Sequence, residues 1–421
     1  MIVANSRLFQ AAVNSALDRY IISKQFSLNK PVYVEDLLEI SPLEQMQKKR
    51  QLTTKTPADV IEALIGVSYL SGGLPKALKC VSHFLPEVNW DTDIDIGRQT
   101  LFDAAPSDEQ LPVNMRRAEE LIGYTFKKKS LLVEALTHPS YAVAGVNACF
   151  ERLEFLGDSV LDFIVTTTLY NSPDLQNHEM HLLRTALVNG DILAFLVMEW
   201  AVEEDRIEVE STCDDEDNNY DETESRKKRR TGNNAGVRLK TTKVKHPLWS
   251  FMRHMSNDMG VCQSETKKRH AEMRDAIVQG LESGTHYPWS LLARLQAQKL
   301  YSDIFESVLG AVWTDSGDMD ECFKVVERLG ILQLMRRLLR DKVHVLHPKE
   351  ELGRLAGNEK VQYGVRYVES AESESGKELL GWVVVGGRRL AEVKGGVSKE
   401  EAKTRAAEVA CLVIKQERAK K

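Results

Sequence analysis

The stretch ERLEFLGDSVLD, residues 151–162, restricts the fold more than any other part of the 421-residue chain. Read as a helix at about 100° per residue, it sets Glu151, Glu154, Asp158 and Asp162 at roughly 0°, −60°, −20° and +20°, a single acidic stripe. Like charges at that spacing repel. Leu153, Phe155, Leu156 and Leu161 flank them with apolar surface, so a purely structural helix gains nothing from the arrangement. Gly157 adds a cost of about 1 kcal/mol relative to Ala and leaves room for something to approach the backbone. A divalent cation answers both features, because carboxylates around Mg²⁺ suit phosphodiester chemistry.

The chain also repeats itself. Leu183 to Leu193 is similar to Ile2 to Phe9, and Asp303-Ile-Phe-Glu306-Ser-Val-Leu-Gly310 is similar to Asp59-Val-Ile-Glu62-Ala-Leu-Ile-Gly66. Asn5 precedes Asp59 by 54 residues and Asn189 precedes Asp303 by 114, so the second copy carries 60 more. The surplus is visible as bias: Glu203 to Glu224 is densely acidic and Arg226 to Arg230 is basic. Apolar content there is too low to offset ordering entropy, so about 205–260 is expected to be a disordered charged insertion. Glu154 and Asp158 precede Asn189 by 35 and 31 residues, and their counterparts in the first copy would fall before Met1. The first copy therefore lacks, in this chain, the half that carries an acidic stripe.

Periodicity organises the rest. Residues 1–30 read as helix, as do Pro57 to Leu70 and Lys76 to Phe84 on either side of Gly72-Gly73. Residues 89–112 carry acids and prolines with little periodicity and read as a linker. In 348–418 a helical start gives way to alternating stretches at Val361–Val368, Gly381–Val385 and Arg389–Val393, and Ser398 is a natural N-cap for a last helix. That order is α-β-β-β-α. A formal charge of −6 argues against a generic polyanion binder, yet 349–421 holds 15 Lys/Arg against 12 Asp/Glu. Six cysteines without a CxxC pair write neither a zinc site nor a disulfide framework. With no apolar run of transmembrane length and no signal-peptide pattern, the expectation is an intracellular protein without a membrane partner.

Asp303 and Glu306, three residues apart on a helix, share one side. With Glu154 and Asp158 they make four carboxylates that would raise each other's pKa unless a cation joined them, which implies bound Mg²⁺, or Mn²⁺ as a substitute.

The 151–162 string closely resembles the signature of ribonuclease III. Residues 113–340 resemble a complete ribonuclease III domain, 1–88 the latter part of another, and 348–418 the double-stranded-RNA-binding domain. Two such nuclease domains followed by this module resemble the C-terminal end of Dicer, and the charged insertion resembles fungal Dicer-like proteins. The fold implied is mainly α: all-helical ribonuclease III domains followed by a small α+β domain. The resemblance makes Glu154, Asp158, Asp303 and Glu306 the catalytic, metal-binding carboxylates and Glu151 a supporting position. It implies that Lys299, four residues before Asp303, contacts the scissile phosphate, with Lys55 placed equivalently before Asp59. Lys399 and Lys403, one turn apart at the last helix's start, would straddle RNA phosphates, though Glu400 stands where the pattern carries another lysine.

The implied activity is metal-dependent cleavage of double-stranded RNA in RNA silencing and antiviral defence, leaving 5′-phosphate ends and short 3′ overhangs. With the first copy incomplete, a double-strand cut would require a homodimer through 113–340. The helicase and end-binding domains of Dicer are not written here, so the chain is expected to be a fragment or a shortened gene product. Two other readings stay open: a homodimeric ribonuclease III processing structured precursors, and a non-catalytic double-stranded-RNA-binding scaffold.

Overall fold

A computed structural model describes residues 4–21, 53–87, 90, 94–107, 111–141, 148–211, 237–369 and 377–420. The chain divides into two units, 1–101 and 102–421.

In the first unit, helix α1 (Asn5–Asn14) packs on helix α2 (Lys55–Phe84). Leu8, Ala11 and Ala12 meet Ala58, Ile61 and Leu85 in a small core. The helix expected over 1–30 is shorter: α1 stops where Ala16 turns left-handed (φ 54°), and a 3₁₀ turn follows at Leu17–Arg19. The remainder of that expectation, 22–30, lies outside the described residues. The two helices expected at Pro57–Leu70 and Lys76–Phe84 are the halves of α2, interrupted at Gly72 and Gly73, where Gly73 has φ 66°. The stretch 89–112, read as a linker, contains helix α3 (Ile94–Ala104). Its C-terminal end belongs to the second unit, where Phe102 and Ala105 join the main core and Lys128 Nζ lies 4.6 Å above the Phe102 ring. Burial of that end orders a segment whose own periodicity is weak.

The second unit opens with the short helices α4 (Arg116–Ile122) and α5 (Lys129–Ala135). Next come α6 (Glu151–Tyr170), α7 (Asn177–Leu187) and α8 (Gly190–Glu199). The span expected to be disordered begins with a hairpin, β1 (Ala201–Ser211) against β2 (Val237–Pro247), in register Ala201↔Pro247 to Ser211↔Val237. The start of the acidic stretch faces lysines that follow the charged run: Asp205 stands opposite Lys243, and Glu203 takes Lys243 at 3.5 Å and Lys245 at 3.7 Å. Cross-strand charge pairing thus orders part of what composition alone reads as solvated chain. Residues 212–236, with the basic run Arg226–Arg230, lie outside the described residues. The end of the same span already belongs to α9 (Asn257–Ser283), whose N-cap Ser256 accepts from Met259 N.

Helices α10 (Trp289–Leu295), α11 (Leu300–Ser316), α12 (Met319–Leu329) and α13 (Ile331–Arg340) complete the helical part. Helix α11 runs through its middle, with Tyr301, Ile304, Phe305, Val308 and Leu309 fully buried. The closing α-β-β-β-α piece is as expected: α14 (Pro348–Ala356), strands β3 (Val361–Glu369), β4 (Lys377–Val385) and β5 (Arg388–Gly396), and α15 (Lys399–Ala419). The strands form an antiparallel sheet in chain order. Leu352, Val383, Val385, Ala391, Ala406, Ala407 and Ala410 fill the core between sheet and helices. Ser398 caps α15 by accepting from Glu401 N at 3.1 Å. Among the described residues no single helix is long and apolar enough to cross a membrane.

Candidate active site

The site is made by the crossing of α6 and α11. At the crossing the backbones touch: a Cβ on Gly157 would stand 1.7 Å from the Glu306 carbonyl oxygen, and one on Gly310 2.1 Å from the Leu153 carbonyl oxygen. Only glycine at both places admits this approach. Glu154, one residue beyond Leu153, is thereby carried to Asp303 and Glu306. One carboxylate oxygen from each of these three lies within 4.8 Å of the others.

Asp158 faces the same side one turn along α6 but stays outside that group and is exposed. Its charge is still felt. Burial first, then the charges of Asp158, Asp303 and Glu154, push the Glu306 carboxyl up to about 8. Burial likewise raises Asp303, against the opposing hydrogen bond from Lys299. Asp158, open to solvent on one side, is raised by partial desolvation and by the Asp162 and Glu154 charges. The stripe's two ends do other work. Asp162 accepts from Arg184 Nη1 at 2.7 Å, while Glu151 accepts from the Cys149 thiol at 3.7 Å.

Lys299 closes the cluster from the solvent side. Its ammonium donates to Glu154 Oε1 at 2.5 Å and to Asp303 Oδ1 at 2.8 Å, bridging the two helices. Those two carboxylates raise its pKa above the ordinary lysine value.

A supporting pair escaped the sequence reading. Buried Glu134 on α5 takes both edges of the Arg152 guanidinium, Nη2 at 2.7 Å, and so fixes the first turn of α6. A glutamate set among Leu131, Leu132, Ala135 and Leu136 was the available signal.

The first copy differs. Lys55 Nζ lies 3.9 Å from Asp59 Oδ2, both exposed, and Glu62 is exposed too. Gly66, the counterpart of Gly310, has nothing within 4 Å of where its Cβ would stand. Among the described residues no second carboxylate cluster forms around Asp59 and Glu62.

On the C-terminal module, Lys399 is exposed at the start of α15. Lys403 is not free: it donates to Glu400 Oε1 at 2.9 Å, and Lys349 holds the other oxygen of the same carboxylate. Those two ammonium groups hold Glu400 down at about 2.

Three converging carboxylates, of which Asp303 and Glu306 are raised in pKa by burial and neighbouring negative charge, form a hard oxygen donor set that fits a small divalent cation.

Residues 151–317 match the family model of the ribonuclease III domain, and 341–421 that of the Dicer-like protein 2 dsRNA binding domain. Fold and site therefore define a ribonuclease III domain with a carboxylate centre, joined to a double-stranded-RNA-binding domain. The Dicer likeness holds along the chain. It is 46% identical over 420 residues to Dicer-like protein 2 of Cryphonectria parasitica, covering 99% of this chain and 28% of that protein. It is 43% identical to Dicer-like protein 2 of Pyricularia oryzae, covering 96% and 27%. The chain thus spans little more than a quarter of these relatives' length. Among solved structures, the nuclease domain of ribonuclease III from Campylobacter jejuni is 20% identical over 53% of this chain and 99% of that one, with a TM-score of 0.29. Dicer from Pichia stipitis is 19% identical over 68% and 94%, with a TM-score of 0.25.

Proposed function

We propose that this chain supplies the cutting centre of a Dicer-like endoribonuclease that hydrolyses double-stranded RNA in RNA silencing and antiviral defence. The observation that carries the reading is the convergence of Glu154, Asp303 and Glu306 within 4.8 Å, with Asp158 beside them, in a domain matching ribonuclease III. Glu154, Asp158, Asp303 and Glu306 would hold Mg²⁺, or Mn²⁺ in its place. Such a cation, when bound, lowers the pKa of a water and stabilises the charge that develops on the leaving oxygen. The chain's own part is to hold the carboxylates in place through the Gly157–Gly310 crossing and the Arg152–Glu134 pair. Lys299, on the open side of the cluster, offers its ammonium to a strand phosphate.

We further propose pairing of this domain with a second copy. Phe155, within the signature helix, leaves 80% of its surface exposed, an unusual place for a large apolar side chain unless another surface covers it.

An end-labelled RNA duplex incubated with the purified chain and Mg²⁺ tests this. Cleavage is expected from the parent, none from Asp303→Asn, and equal RNA retention by both. Equal cutting by the two proteins would remove the assignment.

A further inference from the structure

We propose that Arg294 clamps the RNA-binding module onto the nuclease part, so that the grip on RNA and the cut share one frame. The inference rests on the nuclease reading above.

Beside a hydrogen bond between Ser290 of α10 and Glu408 of α15, two of the places that hold the module bear on this. Its connection to the nuclease part, 341–347, does not hang free: His344 N donates to Thr285 O and Tyr287 N to His344 O, each at 2.9 Å. Trp289 Nε1 donates to Val345 O at 3.1 Å, and Val343 and Val345 are buried in the nuclease core.

The second hold is at the start of α15. Arg294, in the last turn of α10, donates through Nη1 to Glu401 Oε1 and to Gly395 O, both at 3.0 Å. Gln296, in the left-handed region (φ 46°), adds a bond from Nε2 to Val397 O at 2.9 Å. Glu401 is 0% exposed, and Arg405 (3.2 Å) and Val397 N (3.1 Å) complete its shell. A fully buried carboxylate is stable only while its partners stay, so one guanidinium from each domain ties the two together.

The geometry couples this hold to the chemistry. Lys399 and Lys403 stand two residues either side of Glu401, about 160° round the helix from it. The turn that faces inward to Arg294 therefore presents its lysines outward. On the other side, Arg294 precedes Lys299 by only five residues, on the segment that leads into α11. Arg294 is in this sense a positioning residue, and it acts on where the cut falls rather than on the chemistry.

Two readouts on the full chain test this in Arg294→Met and, as a milder break, Gln296→Ala. Limited trypsin digestion after Arg340 and Lys342 should accelerate at least tenfold in Arg294→Met and less in Gln296→Ala. On a blunt duplex with one labelled end, the parent should cut at one position. Arg294→Met should cut at a rate within about threefold of the parent at saturating RNA, with ends spread over several nucleotides. Unchanged trypsin resistance in both variants, or a single unchanged cut position, would overturn the clamp. If no protein cuts, the nuclease reading fails, and trypsin resistance alone then decides whether the clamp exists.

Discussion

Gly157 and Gly310 meet back to back, so that a methyl group on Gly157 would come within 1.7 Å of the Glu306 carbonyl oxygen. The two glycines lie three residues beyond Glu154 and four beyond Glu306, on the helices that supply the carboxylates. The spacing of the acidic cluster is thus a backbone property, set by how closely two helices approach and only then by side chains.

Gly157→Ala should therefore force α6 and α11 apart, since backbone on both sides leaves no flexible side chain to yield. The expected loss is about 3 kcal/mol or more, read as a large drop in thermal midpoint together with loss of metal binding. The same change at Gly66, where the Cβ would meet nothing, should be neutral or stabilising by up to about 1 kcal/mol through helix propensity. Equal tolerance at both positions would contradict the close crossing.

How much of this was legible in the sequence depends on range. The acidic stripe follows from helical periodicity, and Gly157 marked a close approach, though what approaches is Gly310's helix. Periodicity gives a face and not a reach: Asp158 shares the face of Glu154 yet stays outside the three-carboxylate group. The β1–β2 hairpin escaped notice because its acidic and basic halves make sense only as opposing strands. Arg294 and Glu401 are 107 residues apart, and no local pattern joins them. The α-β-β-β-α module was legible throughout, because alternation, turns and the Ser398 cap are all local signals.

The raised Glu306 carboxyl makes stability depend on pH. Its folded pKa of about 8 lies above its ordinary 4.5, so the native state binds that proton more tightly than the unfolded chain does. The resulting stabilisation is full below pH 4.5 and is lost as pH rises through about 8, with a slope of at most about 1.4 kcal/mol per pH unit from one group. Asp303 and Asp158 shift in the same direction. In chelator, the thermal midpoint should fall between pH 5 and 8. Glu306→Gln should flatten that slope, and saturating Mg²⁺ should flatten it in the parent. A parent midpoint that does not change over this range would be the contrary result.

Lys299 should matter most when divalent cations are absent. Its ammonium holds Glu154 and Asp303 together, yet the side chain is 74% exposed, so solvent weakens the bridge. Lys299→Met should lower the metal-free stability at pH 8 modestly, by about 1 kcal/mol. The gain on adding Mg²⁺ should exceed the parent's, because the cation then relieves repulsion that no ammonium offsets. Calorimetry in chelator and in Mg²⁺ measures both quantities, and an equal metal gain in parent and variant would show that Lys299 does not share the cluster's charge.

Glu400 sits between Lys349 and Lys403 and draws both ammonium groups away from RNA. A neutralised lysine makes a poor phosphate contact, since affinity for duplex RNA scales with the cations it displaces. Glu400→Lys should therefore tighten binding of a short RNA duplex several-fold at about 0.1 M salt, freeing two lysines and adding a third. The dependence of log affinity on log salt should steepen by roughly two to three units, at about 0.7–0.9 for each of three new phosphate contacts. Thermal stability should change little, because Glu400 is exposed while the neighbouring Glu401 carries the buried ion pairs. Fluorescence anisotropy across a salt series gives both numbers. An unchanged slope would mean that this end of α15 does not face the duplex.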